Sequence, residues 1–134
     1  MIRILHIITR LDVGGSSENT LISATRMAPG EFASSLVSGR TTAPPPGLAE
    51  SVSRAGVEWI QIRHLRRSVN PVADGRALWA LWGTIRRMQP DIVHTHSSKA
   101  GFLGRLAARI AGTPHILHTP HGHIFHGYFS GTAT

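Results

Sequence analysis

Ile2-Arg3-Ile4-Leu5-His6-Ile7-Ile8-Thr9 runs into Asp12-Val13-Gly14-Gly15-Ser16-Ser17, and this opening decides the fold. Its first eight residues are largely β-branched and apolar at nearly every position, the pattern of a strand buried on both faces. The Asp12–Ser17 turn can cap a helix, and Leu21, Ile22, Ala24 and Met27 follow at roughly helical spacing before Pro29-Gly30. The order is strand, glycine loop, helix.

Working outward, the same alternation recurs. Phe32 to Arg40 is a second strand candidate, and Pro44-Pro45-Pro46 forces an extended loop. Leu48, Val52 and Ala55 fit a short helix closed by Gly56, with a third strand over Val57 to Ile62. Asn70-Pro71 sets an N-cap for a helix with the apolar stripe Leu78, Leu81, Trp82, Ile85, Met88, which Pro90 stops. Core packing is the expected role of the Trp79 and Trp82 pair. Asp91 to Thr95 is a fourth strand, and Ser97 or Ser98 can cap a helix whose stripe is Leu103, Leu106, Ala107 and Ile110. Gly112 and Pro114 end that helix, His115 to Thr119 is a fifth strand, and Pro120 to Thr134 shows no clear period. Strands alternating with helices predict an α/β fold, a Rossmann-like parallel sheet of about five strands with helices on both faces. Ligands of such sheets bind beyond the carboxyl ends of the strands, so site residues are expected after strands one, four and five.

The chain has 134 residues, one domain's worth at roughly 100–200 residues per domain. With no cysteine there is no disulfide framework, thiolate metal site or thiol nucleophile. Fourteen basic against seven acidic residues give a net charge of +7, which points to acidic partners such as phosphate-bearing ligands or an anionic membrane surface. No apolar run approaches the roughly 20 residues of a membrane span, so a soluble, cytoplasmic protein is expected, with peripheral contact to the inner face of the membrane. Aromatic residues are only 6% and no nucleic-acid module signature is present, so nucleic acid is not an expected partner.

Gly14-Gly15 lets backbone approach a ligand closely, and the helix N-terminus behind it favours an anion such as a diphosphate. The three-glycine dinucleotide fingerprint and the Walker lysine are both missing, which disfavours nicotinamide cofactors and ATP. Seven of the nine histidines fall between His94 and His126. His94 and His96 share one strand face. An H-x-H pair also occurs in metallohydrolases, but no carboxylate follows it and Asp91 lies at the strand's far end, so no metal is expected. His121, in Thr119-Pro120-His121-Gly122, sits just past strand five, where its imidazole can donate to a sugar hydroxyl or phosphate. His115 and His126 read as ordinary exposed or hydrogen-bonded side chains, and Arg63, Arg66 and Arg67 as a solvated basic loop.

Three stretches taken in order, Ile4 to Gly15 with Glu18-Asn19-Thr20-Leu21, Asp91-Ile92-Val93-His94-Thr95-His96-Ser97-Ser98-Lys99-Ala100-Gly101, and His118-Thr119-Pro120-His121-Gly122-His123, resemble the N-terminal domain of family 4 glycosyltransferases. These are retaining enzymes of the two-Rossmann-domain GT-B type. The resemblance implies that residues 1–134 are the acceptor-side domain, incomplete at its C-terminal end, with the nucleotide-sugar-binding C-terminal domain absent. It implies transfer of a sugar from a nucleotide-sugar, a co-substrate rather than a cofactor, to a glycan or lipid-linked acceptor, as in polysaccharide biosynthesis. Gly14, Gly15 and Ser16 would then meet the donor diphosphate, His121 would be the catalytic histidine beside the donor sugar, and His94, His96, Ser97, Lys99, His118 and His123 would line the cleft. The alternatives are a non-catalytic binding module or remnant and, behind it, a histidine-rich metallohydrolase, and the fragment by itself is expected to be inactive.

Overall fold

A computed structural model of the chain describes residues 2–11, 15–26, 30–40, 46–66 and 70–119, with the side chains of Gly15, Ser16 and Ser98 left aside. The elements in chain order are β1 (Ile2–Ile8), α1 (Gly15–Thr25), β2 (Phe32–Ser38), α2 (Leu48–Arg54) and β3 (Glu58–Gln61). They continue with α3 (Pro71–Met88), β4 (Ile92–His96), α4 (Ser98–Ala111) and β5 (His115–Thr119). The boundaries fall where the sequence chemistry puts them. Asn70 accepts hydrogen bonds from the Val72 and Ala73 amides at 3.1 Å, satisfying two of the donors that a helix start leaves over. Gly112, in the left-handed region, closes α4.

The five strands are parallel, in the order β3-β2-β1-β4-β5. The chain starts at the centre, winds outward through β2 and β3, then crosses back through α3 to place β4 on the other side of β1. The reversal between β1 and β4 is the topological switch point.

Side chains alternate across the sheet, and each strand feeds two cores. Leu5 and Ile7 of β1, Val37 of β2 and Val93 of β4 pack under α3 and α4, against Ala77, Leu81, Ile85, Ala100, Leu103 and Ala107. Ile8 and Leu36 face the other way, onto Leu48 and Val52 of α2, with Leu11 and Val57, and Leu21 of α1 packs against them. The expected doubly wound sheet is therefore present. Close approach replaces side chains at three glycines: a Cβ on Gly39 would strike the carbonyl oxygens of Leu65 and Thr9, one on Gly101 the ring of His118, and one on Gly104 the Thr95 methyl at 2.7 Å.

Two expectations about packing are corrected. Trp79 is not in the core: it lies on the outer face of α3, with Trp82 half-buried beside it. Leu106 and Ile110 also point outward from α4, because one sheet face accepts only the stripe of Ala100, Leu103, Ala107 and Ala108. The apolar arcs of both helices are wider than the surface available to cover them.

Candidate functional site

At the switch point β1 and β4 run side by side, with His6 opposite His94 in the parallel register. His6, His94 and His96 have the same parity and lie on the face away from α3 and α4. Their rings cluster, with centroids 4.2 Å apart for His94 and His96, 5.3 Å for His6 and His94, and 5.5 Å for His6 and His96. His6 Nδ1 and His96 Nε2 share a hydrogen bond of 3.2 Å, and His94 Nε2 bonds the Thr119 hydroxyl of β5 at 2.6 Å. His6 and His96 are fully buried.

Burial and, secondarily, the neighbouring His94 push the pKa of His6 down to about 4. At neutral pH it is an uncharged imidazole with one donor and one acceptor nitrogen. Its Nε2 is buried without a hydrogen-bond partner among the described residues. One nitrogen from each ring lies within 4.8 Å of the others, so these three are the residues here that could approach a cation. Imidazole nitrogens can equally donate to, and accept from, the hydroxyls of a sugar.

Just beyond the strands, Thr9 Oγ1 bonds Ser97 Oγ at 2.9 Å and accepts a hydrogen bond from the Ala100 amide at 3.3 Å. Ser97 holds the N-cap position of α4 but makes no side-chain bond to its own helix; Thr9 of the neighbouring segment caps it instead. Ser97 itself sits at φ 70° and ψ 169°, a region that almost only glycine occupies freely. Two hydrogen bonds to Thr9 hold this strained turn at the carboxyl end of β4.

The structure sorts the residues expected from sequence. His94, His96 and Ser97 come together at the switch point. His118 does not join them: it is in register with Thr95, bonds the Thr95 hydroxyl at 2.8 Å, and packs beneath Gly101 on the opposite face. Lys99 faces α3, where its ammonium meets Asp74 at 2.7 Å and lowers the carboxyl's pKa through that hydrogen bond. Gly15 and Ser16 open α1. Gly14, His121, His123 and His126 lie outside the described residues. Asp91 stays at the far end, its carboxylate accepting from the Arg3 amide at 2.8 Å. His6 and Thr9 are additions. Their signal was the even parity of His6 in a strand that must abut strand four, and the place of Thr9 at that strand's end.

Residues 14–134 match the glycosyl transferase 4-like domain. Over 61 residues the chain is 48% identical to the Escherichia coli UDP-Gal:alpha-D-GlcNAc-diphosphoundecaprenol alpha-1,3-galactosyltransferase, covering 46% of this chain and 16% of that protein. Over 77 residues it is 34% identical to a Nitratidesulfovibrio vulgaris UDP-N-acetylglucosamine–N-acetylmuramyl-(pentapeptide) pyrophosphoryl-undecaprenol N-acetylglucosamine transferase, covering 52% of this chain and 20% of the relative. The matches thus span a fifth or less of these relatives' length. Among solved structures, Acinetobacter baumannii MurG superposes with a TM-score of 0.64 at 16% identity, over 88% of this chain and 35% of that one. A UDP-GlcNAc 2-epimerase from Neisseria meningitidis gives 0.61 at 13% identity, over 87% and 32%. Transferases and epimerases share this sheet, so the fold alone does not choose a reaction. The match over residues 14–134 does decide the family, and this chain belongs to the glycosyl transferase 4-like domain family.

Proposed function

We propose that this domain is the acceptor side of an enzyme that moves a sugar from a nucleotide-sugar to a lipid-linked or glycan acceptor with retention of configuration. The observation that carries the reading is a pairing: a histidine cluster at the switch point, built around the uncharged His6, in a chain that matches two curated relatives both named for sugar transfer to undecaprenol diphosphates. His6, His94 and His96 present ring nitrogens that can donate and accept hydrogen bonds, which suits hydroxyls of an acceptor sugar. Amides of Gly14, Gly15 and Ser16 at the head of α1 would receive the donor diphosphate, stabilising negative charge as it leaves. His121 would hold the transferring sugar. Lys99 and His118, placed as they are, support the cleft through α3 and β5, and His123 would belong to its rim. Donor binding is completed by a second domain, amides and basic side chains neutralise the diphosphate without a metal, and the enzyme works in the cytoplasm at the membrane surface.

The test is binding of a short-chain prenyl diphosphate carrying N-acetylglucosamine to the 134-residue chain, followed by NMR line broadening. The expected result is saturable binding that His96→Ala weakens about ten-fold or more, as expected for loss of a positioned hydrogen bond with its partner left unpaired. Absence of binding, or binding indifferent to His96, overturns the acceptor role.

A further inference from the structure

His6 stands where the fold asks for an aliphatic side chain. It lies within the central strand, on one face with Ile4 and Ile8 and opposite Leu36 of β2, and all four are buried. A leucine there would extend the apolar layer that Ile8 and Leu36 form against α2. An imidazole in such a place gives up its hydration at both ring nitrogens. Among the described residues only one of them regains a partner: Nδ1 meets His96 Nε2 at 3.2 Å, while Nε2 has none. A fully buried polar ring left half satisfied is not what stability alone would select.

The one bond that His6 makes is chemically restrictive. Burial, and then His94, keep His6 uncharged at neutral pH, so its ring carries a single proton. If His96 donated from Nε2, that proton would sit on His6 Nε2 as a buried N–H with no acceptor, which folded proteins rarely tolerate. If His6 donates from Nδ1, a lone pair remains at Nε2 and no donor is orphaned. The second arrangement is therefore selected. It makes His96 Nε2 an acceptor, and an uncharged imidazole that accepts at Nε2 carries its proton on Nδ1. The Nε2 of His94 does not compete for this bond, because it is held by the Thr119 hydroxyl at 2.6 Å.

We infer that His6 is a positioning residue of the acceptor site: through its Nδ1–H it fixes His96 in the Nδ1-protonated tautomer and fixes the plane of that ring, so that His96 meets an acceptor sugar as a hydrogen-bond donor. This role rests on the acceptor reading and narrows its chemistry. His96 then requires a group that accepts, such as a hydroxyl or an acetamido carbonyl oxygen, and gains nothing from an ammonium group.

Long-range proton–nitrogen NMR of the histidine rings in the 134-residue chain, at neutral pH and without ligand, reads the tautomers directly. The wild type should carry the ring proton of both His6 and His96 on Nδ1. In His6→Leu, which removes the donor, the His96 proton should move to Nε2 or exchange between the two nitrogens. In His6→Gln, whose side-chain amide can donate in its place, it should stay on Nδ1. The same chains are then titrated with the short-chain prenyl diphosphate carrying N-acetylglucosamine. His6→Leu should bind about five-fold more weakly, for the loss of one aligned hydrogen bond, and His6→Gln should recover to within about two-fold of the wild type. A residue that only filled space would give the opposite pattern, since leucine suits this apolar layer better than glutamine. Wild-type His96 protonated on Nε2 overturns the proposal with no variant or ligand needed, and so does an unchanged His96 tautomer in His6→Leu. Full binding by His6→Leu despite a shifted tautomer overturns it too. A fixed tautomer in a wild-type chain that does not bind the probe overturns the acceptor reading and the positioning role with it, so the two failures are told apart.

Discussion

Lowering the pH should destabilise this domain through His6. In the unfolded chain His6 titrates at its ordinary value of 6.5, whereas in the folded state burial and His94 hold it at about 4. Between those values the unfolded state binds more protons, so stability falls as the pH falls. The contribution is whole above pH 6.5, is lost progressively toward pH 4, and has saturated below that. A separation of about 2.5 units at about 1.4 kcal/mol each gives a full loss of roughly 3 kcal/mol, of which about 2 kcal/mol is reached near pH 5. For a domain whose total stability is on the order of 5–15 kcal/mol this is a large fraction. The assay is urea unfolding followed by circular dichroism near pH 7 and near pH 5, on the wild type and on His6→Gln. Glutamine keeps one donor and one acceptor but cannot take up the proton. Histidines outside the cluster keep their surroundings in both proteins, so the difference between the two pH effects reads His6 together with its contacts to His94 and His96. The variant should lose about 2 kcal/mol less than the wild type over that interval; equal losses would refute the reasoning, because the imidazole would then be free to charge in the fold.

Three further outcomes follow from the geometry. Gly39→Ala should destabilise by about 3 kcal/mol or more, since its Cβ would meet backbone oxygens of Leu65 and Thr9 that cannot swing away, and thermal melting will show it. Thr9→Val keeps the shape but strips partners from the Ala100 amide and Ser97 hydroxyl, at a cost of about 1–3 kcal/mol; Ser97→Gly should cost less, because glycine accepts φ 70° without strain, and a reversed order in chemical denaturation would contradict the account of this turn. Zinc titrated against a chromophoric chelator should reveal no tight one-to-one site, whereas a site lost in His6→Ala would replace the hydroxyl-binding role of the cluster by a cation-binding one.

Much of this was legible from residue types alone. Period-free apolar runs such as Ile4 to Ile8 mark strands covered on both sides, and Asn70-Pro71 or Gly112-Thr113-Pro114 mark helix ends whose chemistry is local. His94 and His96 were readable as one face because a strand alternates strictly. What sequence did not give was register: that His6 stands opposite His94, or that His118 falls on the far face beside Thr95, depends on how strands 88 and 23 residues apart align. The exposure of Trp79, Leu106 and Ile110 was equally hidden. Helical spacing says which side chains share a stripe, but the width of that stripe left uncovered is set by the neighbouring elements.

Of the described strands, the earliest in the chain is the middle strand of the sheet. β1 pairs β2 on one edge within its first forty residues of chain, yet its other edge waits for β4, and the cap of α4 waits for Thr9 from 91 residues earlier. Contacts that distant carry a high loop-closure cost and form late. During synthesis a half-sheet of β1, β2 and β3 would therefore expose the free edge of β1, and His6 with it, until the fourth strand arrives. The histidine cluster is assembled by the strand pairing most distant in sequence, β1 with β4, which makes its formation a reporter of long-range closure rather than of the early local pairings.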